Sequence, residues 1–269
     1  HELGGAAISL HNLLKGLIKK GVTVDVINSV GRKEVDDFFR DACLKVKSKR
    51  IWYFPHNSLS SMPINTINGI YNNLKWLMLY PLSCLNLFLC LVNSGYDIVH
   101  FNSASLIVYG WIPRILGKKL VCHIREPFAE GALGIRRFVL RKCLYFFTHQ
   151  CIAICEDNKR DTALSESRCK LIYNPVDFEK FNDSIMSARA CRESLNIKEN
   201  SLVVLFAGGS NAKVKGVVDF LISMDIVRQK FDDLICLMPS FKPSAIKEDS
   251  VMQAYSNLKT HIIQKLYLI

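Results

Sequence analysis

Short apolar runs recur along this chain, and most are followed by a stretch whose apolar residues have helical spacing. The clearest runs occupy residues 22–27, 96–101, 120–124, 151–154, 202–206 and 234–238, and shorter ones occupy 51–54, 171–173 and 261–263. Continuous apolar strands that alternate with helices predict parallel sheets covered by helices on both faces. The predicted fold class is therefore α/β with doubly wound parallel sheets.

The helical stretches have recognisable lengths and end signals. Leu10, Leu13, Leu14, Leu17 and Ile18 share one helical face, and Gly21 is a typical terminator for that helix. Further helices are predicted at residues 67–91, 106–116, 135–147, 217–230 and 245–258.

A domain boundary is predicted after the first set of strands. Asn-Pro-Val-Asp at 174–177 interrupts the alternation, and a polar stretch follows at 182–200. We expect an N-terminal domain at 1–180 and a partial C-terminal domain at 181–269. A glycine loop that opens a helix normally follows a strand, so we expect the first strand of domain one, and part of domain two, to be missing.

The charge limits the classes of partner. The chain has 269 residues, 49% of them hydrophobic, and a formal net charge of +11. This charge suits a nucleotide, an anionic membrane or a nucleic acid. The densest basic cluster, at 45–50, lacks the interleaved aromatic residues of an RNA platform, so no nucleic-acid partner is predicted.

Cysteine use and hydropathy bear on location. The ten cysteines include no Cys-x-x-Cys pair, which argues against a zinc site, and we predict no metal and a reducing, cytoplasmic compartment.

Residues 76–92 are strongly apolar but are interrupted by Pro81 and are short for a membrane span. A buried or interfacial helix is predicted there, and the positive charge favours peripheral contact with the inner face of an anionic membrane.

One loop indicates phosphate binding. The segment 208–216 contains glycines, Lys213 and Lys215, and it joins an apolar strand to a predicted helix. Backbone N–H groups at a helix N-terminus, with lysines beside them, form an anion site. An ordinary structural turn is the alternative interpretation.

Five stretches, taken in order, resemble glycosyltransferase family 4. They are Gly4-Gly5-Ala6-Ala7 with the 19–24 segment; Asp97-Ile98-Val99-His100-Phe101-Asn102; His123-Ile124-Arg125-Glu126-Pro127; residues 152–156 with 170–177; and residues 206–216. The resemblance implies the GT-B architecture, in which two Rossmann-like domains face each other across a cleft.

The resemblance also implies a reaction. Members of this family transfer a sugar from a nucleotide-sugar donor with retention of configuration and without a required metal. We therefore expect a hexosyltransferase that uses a glycan or lipid-linked acceptor in polysaccharide or glycolipid assembly. No cofactor is expected beyond the nucleotide-sugar substrate, whose base is not predicted.

The motif match assigns roles to individual residues. It assigns the donor phosphate to Gly4, Gly5, Gly209, Ser210 and Lys215, and it assigns His123 as the catalytic histidine beside the donor sugar. Ser210 stands where most members have arginine, whose forked contact serine cannot reproduce, and Lys213 is a speculative substitute. Further predicted cleft contacts are His100, Asn102 and Arg125, while Glu156 and Asn174 are assigned structural roles.

Each assignment has a structural alternative: turn glycines, solvated lysines, a core histidine, or an ion pair of Arg125 with Glu126 or Glu130. The family's later pair of glutamates cannot be assigned here. An inactive fragment, a non-catalytic binding module and a nucleotide-sugar epimerase on the same architecture therefore remain alternatives.

Overall fold

The chain forms two compact units, His1–Val176 and Asp177–Ile269. The computed structural model describes residues 4–55, 66–176, 187–208, 215–239, 241, 243 and 249–263. Within each unit every described strand pairing is parallel. The predicted α/β class is therefore confirmed.

Unit 1 contains two separate parallel sheets. In the first, β1 (Asp25–Asn28) pairs with β2 (Lys45–Ser48). The second has the order β3 (Ile98–Phe101), β4 (Lys119–Ile124), β5 (Gln150–Ala153), β6 (Cys169–Leu171). Phe101 lies opposite Cys122, and Ile124 opposite Ala153, so the carboxyl ends of these strands share one edge of the sheet.

Six α-helices cover the sheets of unit 1 in the described residues. They are α1 (Gly5–Lys19), α2 (Lys33–Phe39), α3 (Ile67–Leu91), α4 (Trp111–Ile115), α5 (Ile135–Phe147) and α6 (Glu156–Thr162). Thr66 is the N-cap of the long helix α3, and its hydroxyl accepts a hydrogen bond from the Gly69 N–H at 3.1 Å. Pro81 lies inside α3 without ending it.

The main core of unit 1 forms between the β3–β6 sheet and its helices. Leu120, Cys122 and Ile124 of β4 are fully buried, as are Leu140 and Leu144 of α5. Helices on both faces make the middle strands apolar on both sides, which explains why they were recognisable as continuous apolar runs.

Two sequence predictions are wrong in unit 1. Residues 51–54 do not form the predicted strand. Ile51 is buried, but its N–H donates to the Ser29 carbonyl at 3.0 Å outside any strand pairing. The strand that pairs with β1 is formed instead by the polar segment Lys45–Ser48. The predicted helix at 106–116 divides into a 3₁₀ helix, Ala104–Tyr109, and α4. Gly110 joins the two, and a Cβ there would lie 2.8 Å from the Phe147 Cβ.

Unit 2 has one parallel sheet with the order β7 (Leu202–Leu205), β8 (Leu234–Leu237), β9 (Ile262–Ile263). Its described α-helices are α7 (Ala188–Ser194), α8 (Val217–Val227) and α9 (Asp249–Leu258). Val217, Leu221, Leu234 and Cys236 are fully buried between α8 and the sheet. Residues 245–248 of the predicted last helix lie outside the described residues.

Candidate active site

A polar cluster lies at the carboxyl ends of β3 and β4, the edge at which open α/β sheets bind ligands. Arg125, directly after β4, is its centre. Its Nε donates to Asn102 Oδ1 at 2.8 Å, and one terminal nitrogen donates to Asn174 Oδ1 at 2.7 Å and to Ser9 Oγ at 3.0 Å. The fold thus brings together two predicted cleft residues, Asn102 and Arg125.

The cluster also contains two side chains that were not predicted to be part of the site. Ser9 lies on α1, one turn after Gly5, and its hydroxyl donates to Asn174 Oδ1 at 2.9 Å. Asn174 was assigned only a structural role. The i, i+4 relation of Ser9 to Gly5 was the available signal, because residues with that spacing share a helix face.

His123 is buried at the end of β4 and is held in a single tautomer. An Arg125 terminal nitrogen lies 3.3 Å from His123 Nδ1. Arginine only donates hydrogen bonds, so Nδ1 accepts and the proton of the neutral ring is on Nε2. Burial, helped by the charges of Arg125 and His100, lowers the pKa of His123 to about 3. His123 is therefore neutral at physiological pH, with its proton on Nε2.

His100 lies beside His123, with ring centroids 5.6 Å apart. Burial, and then the charge of Arg125, lowers its pKa to about 4. Within the described residues, the Nε2 atoms of both histidines are buried without a hydrogen-bond partner. Buried polar atoms are normally satisfied, so two orphaned ring nitrogens near one edge indicate a place for a ligand.

The predicted alternatives for Arg125 included ion pairs with neighbouring glutamates. Glu130 instead pairs with Arg137 at 3.1 Å. Glu126 accepts a hydrogen bond from the Ser103 hydroxyl. Burial lowers the pKa of Arg125, whereas the charge of Glu126 acts in the opposite direction and is the smaller effect. The described contacts of Arg125 are therefore mainly with neutral oxygens and with His123.

The N-terminus of α1 adjoins this cluster. Gly4 is its N-cap, and no acidic residue occurs in its first turn. The Asn102 amide donates to the Ala6 carbonyl at 3.1 Å, which ties the helix start to the end of β3. A Cβ on Gly4 or Gly5 would meet no atom within 4 Å, so the approach to the backbone is open. The helix dipole and Arg125 both favour an anion here.

In unit 2, the predicted phosphate loop lies between β7 and α8. A Cβ on Gly208 would lie 2.4 Å from the Phe206 ring, so a larger residue there would require the ring to move. Lys215 is exposed and precedes Gly216, the left-handed N-cap of α8. Gly209, Ser210 and Lys213 lie outside the described residues. Lys215 thus stands at a helix N-terminus, and its phosphate role stays a prediction.

The described residues include no group of three or more histidine, cysteine, aspartate or glutamate side chains arranged to hold a metal ion. The polar groups described at these strand ends are guanidinium, imidazole, amide and hydroxyl groups, together with the Glu126 carboxylate. Such groups bind phosphates and sugar hydroxyls by hydrogen bonding.

Comparison with known proteins agrees with this architecture. The chain matches the family model described as Glycosyltransferase Family 4 over residues 3–180 of its 269. The chain therefore belongs to glycosyltransferase family 4, and the resemblance found in the sequence is confirmed. None of the curated proteins matches it.

Solved structures share the fold at low sequence identity. Anabaena HepE, in a crystal structure with UDP and glucose, superposes with a TM-score of 0.65 at 16% identity, and the match covers 97% of this chain and 65% of HepE. A putative UDP-N-acetylglucosamine 2-epimerase from Listeria monocytogenes gives 0.51 at 13% identity over 97% and 66% of the two chains. The S. aureus MnaA–UDP structure gives 0.52 at 14% identity over 98% and 67%. The chain thus spans slightly less than two thirds of HepE.

Proposed function

We propose that this protein is a retaining glycosyltransferase, which moves a hexosyl group from a nucleotide sugar to a glycan or lipid-linked acceptor in polysaccharide or glycolipid assembly. The observation that carries the proposal is the Arg125 cluster, where a cation, an open helix N-terminus and two orphaned imidazole nitrogens adjoin one sheet edge. Membership of the family and the fold shared with HepE support it.

Backbone N–H groups and cations would bind donor phosphate oxygens, and each unit by itself offers such groups. Unit 1 offers the N–H groups at Gly4 and Gly5. Unit 2 offers the Lys215 ammonium with the start of α8. We include Gly209, Ser210 and Lys213 as further phosphate contacts on the motif match alone. Negative charge increases on the diphosphate as the glycosidic bond breaks, so positive charge aimed at it stabilises the transition state more than the substrate. No resident metal or cofactor is part of this proposal.

His123 would act as a hydrogen-bond donor to the donor sugar. Its Nε2–H is buried and lacks a protein partner, and Arg125 fixes the tautomer. A neutral donor orients a hydroxyl and stabilises partial negative charge without removing a proton. His100 would line the same position, with Asn102 and Arg125 holding the surrounding geometry.

Calorimetry with UDP, GDP and the corresponding sugar nucleotides tests the phosphate part of this proposal. We expect one of these ligands to bind, and Lys215→Ala to weaken binding by about tenfold, the loss of one charge-assisted contact. Arg160→Ala is the matched control, because Arg160 is an exposed cation paired with Asp157 on α6. Absence of binding by every nucleotide, or equal weakening by both variants, would refute the assignment.

An epimerase remains the second candidate, because the Listeria putative epimerase shares the fold. Product analysis with the nucleotide sugar that binds separates the two. A new glycosidic bond on an added acceptor, with release of nucleoside diphosphate, supports transfer. An epimeric nucleotide sugar formed without an acceptor supports the epimerase. Binding without any turnover supports a non-catalytic module.

We also propose that the protein is cytoplasmic and attaches peripherally to the inner face of an anionic membrane. Among the described helices, α3 is long and apolar enough to cross a membrane, with mean hydropathy 1.6 over a stretch that is only 22% buried. Its inner face packs on unit 1, where Trp76 Nε1 donates to the Tyr109 hydroxyl at 3.2 Å. Peripheral attachment by its outer face fits this packing better than a span does.

The outer face of α3 carries an apolar stripe without acidic residues. The stripe comprises Ile67, Ile70, Tyr71, Leu74, Leu77, Met78, Leu82, Leu85 and Leu89, all exposed. Its neighbour α5 is linked by an Arg136–Asn73 hydrogen bond of 3.3 Å and exposes Phe138, with Lys142 over the ring. An apolar face bordered by lysines is typical of helices that lie on anionic lipid.

Vesicle sedimentation tests the attachment. We expect binding to phosphatidylglycerol vesicles but little to phosphatidylcholine, and loss of binding in Leu77→Glu/Met78→Glu. Glu199→Gln in unit 2, which lies away from α3 in the chain, serves as a control that leaves binding unchanged. Equal sedimentation of the double variant would contradict the assignment of this face.

A further inference from the structure

Arg136, the second residue of α5, is a buried cation without a counter-charge. It is only 8% exposed, and its one described hydrogen bond runs to a neutral acceptor, Asn73 Oδ1 of α3, at 3.3 Å. Among the described residues no carboxylate pairs with Arg136, whereas the neighbouring Arg137 pairs with Glu130 at 3.1 Å. Burial lowers the pKa of Arg136, and no described acidic group opposes this effect. Arginine stays charged in proteins, so the fold encloses a positive charge that nothing described neutralises.

Such a charge destabilises the chain unless something else offsets it. Removing an unpaired ion from water costs several kcal/mol, and a full set of hydrogen bonds is needed to compensate. Arginine has five N–H donors, so the single contact with Asn73 leaves most of them unused. Arg137 Nε is among the fully enclosed polar atoms without a partner, but no atom of Arg136 is. The unused donors of Arg136 are therefore still reachable from solvent, which is the condition for binding a ligand there.

The start of α5 adds to the positive potential around this side chain. Gly134 is the N-cap of this 13-residue helix, no side chain caps its first turn, and no acidic residue lies there. Side chains of a helix are directed back toward its N-terminus, which brings the guanidinium toward the first-turn N–H groups. A Cβ on Gly131 would lie 2.6 Å from the Arg136 Cβ, so the preceding loop packs closely on the stem of the arginine. The guanidinium and the helix dipole together favour an anion, and the arginine fork matches two oxygens of a phosphate.

The surface around Arg136 indicates what carries the phosphate. The exposed apolar side chains within three residues of Arg136, or of its partner Asn73, include Leu133, Ile135, Phe138, Ile70 and Leu74. Leu133 is 97% exposed, and it has φ 50°, a left-handed conformation that leucine rarely adopts. A soluble phosphate does not need such neighbours, whereas the phosphate of a lipid headgroup is attached to acyl chains that would cover them.

We propose that Arg136 and the start of α5 bind the headgroup phosphate of an anionic lipid, whose acyl chains lie along the exposed apolar residues of α3 and α5. The inference rests on the peripheral membrane attachment proposed above and names the group that the membrane supplies. The bound phosphate provides the negative charge that Arg136 lacks within the described chain. Because α5 follows β4, it begins at the carboxyl edge of the sheet, as the Arg125 cluster does. A lipid held at Arg136 therefore turns that edge toward the membrane, where a lipid-linked acceptor would be found.

Calorimetry with dihexanoyl-phosphatidylglycerol, kept monomeric below its micelle concentration, tests the site on the whole chain. The variant is Arg136→Met, which removes the charge and keeps a long side chain. The matched control is Arg137→Gln, which removes a cation on the same helical turn that already has Glu130 as its partner. sn-Glycerol 3-phosphate presents a phosphate without acyl chains, so it separates a soluble phosphate from a lipid headgroup. Melting curves without ligand are recorded for all three chains.

We expect the parent to bind the lipid, Arg136→Met to bind it at least about tenfold more weakly, and Arg137→Gln to stay within about twofold of the parent. sn-Glycerol 3-phosphate should bind the parent about tenfold more weakly than the lipid, because it lacks the apolar contacts. Without lipid, Arg136→Met should melt at or above the temperature of the parent, because an apolar side chain replaces an unpaired buried charge.

Four results would overturn the proposal: no binding of the lipid by the parent, equal weakening in both variants, equal binding of sn-glycerol 3-phosphate, or a lower melting temperature for Arg136→Met. The last of these would assign the arginine a structural role. Monomeric lipid keeps the result separate from vesicle attachment. A parent that sediments with vesicles but does not bind monomeric lipid refutes this site alone, whereas one that binds monomeric lipid without sedimenting supports the site and refutes the attachment.

Discussion

Replacing Arg125 by lysine tests whether this residue organises the candidate site. The guanidinium joins four side chains, Asn102, Ser9, Asn174 and His123, from three different nitrogen atoms. A lysine ammonium is a single atom and cannot reach oxygens that lie on different sides of a planar fork. We expect at least two of these hydrogen bonds to be lost.

The size of the effect follows from those contacts. A hydrogen bond in a protein contributes about 1 kcal/mol net, so losing two costs about 2 kcal/mol in the free energy of unfolding of unit 1. For a unit of this size, that lowers Tm by roughly 4–8 °C. Arg160→Lys is the control, because that side chain is 77% exposed and its ion pair lies on the surface, and its Tm should change by less than about 2 °C.

Calorimetric melting of both variants measures the difference, and NMR titration gives a second readout. The positive charge of Arg125 helps to lower the pKa of His123 to about 3. In Arg125→Met that contribution disappears, so the pKa of His123 should rise while staying below its ordinary value because the ring remains buried. Equal melting of Arg125→Lys and Arg160→Lys, with an unchanged His123 titration in Arg125→Met, would refute the central role of Arg125.

The two buried histidines of unit 1 and two glycines of unit 2 give three further predictions. The folded-state pKa values of His100 (about 4) and His123 (about 3) lie below the ordinary value of 6.5, so the free energy of unfolding is at its full value above pH 6.5 and falls below that pH. Near pH 5 each histidine lowers it by about 1.4 kcal/mol per pH unit. Denaturant unfolding at several pH values should show a weaker pH dependence of this free energy in His100→Gln/His123→Gln, and an unchanged pH dependence would contradict the prediction. Gly208→Ala should destabilise unit 2 by about 1–3 kcal/mol in denaturant unfolding, because the alanine Cβ would lie 2.4 Å from the Phe206 ring. Gly4→Ala serves as the control, because a Cβ on Gly4 would meet no atom within 4 Å. Gly216→Ala should cost about 1–2 kcal/mol, because Gly216 has φ +70° at the N-cap of α8; a melting curve identical to that of the parent would contradict this.

The sequence predicted the strands that are buried on both faces and missed the strand that is not. Residues 120–124 and 151–154 were recognisable because helices cover both faces of β4 and β5, which makes every position apolar. Lys45–Ser48 forms β2, but its Lys-Val-Lys-Ser pattern is that of a short polar edge strand. The apolar pattern predicted a strand at 51–54 instead. Ile51 is buried by packing in a loop, and hydropathy cannot distinguish such a residue from a buried residue of a strand.

The candidate site shows a similar division. Asn102, His123 and Arg125 were predicted from the resemblance to the family, supported by their positions at or directly after the carboxyl ends of apolar strands, where parallel strands share one edge of a sheet. Ser9 and Asn174 are 165 positions apart and carry no local signal of their contact. Only the fold shows that a helix start and a loop near the end of unit 1 contact the same guanidinium. The sequence also left open an ion pair between Arg125 and Glu130. Tertiary packing decides against it, because the Glu130 carboxylate pairs with Arg137.

The arrangement around Arg125 explains how a partly buried cation and a buried imidazole can be stable together. A protonated His123 beside Arg125 would place two positive charges in a space with little water, and the pKa of about 3 shows which group gives up its charge. The neutral ring then accepts from Arg125 at Nδ1 and keeps its proton on Nε2, the atom without a protein partner. Burial, together with the charge of Arg125, therefore keeps the ring neutral, and the Arg125 hydrogen bond sets its tautomer. A polar ligand that accepts from Nε2 would satisfy the buried donor, so binding of such a ligand should raise the stability of unit 1.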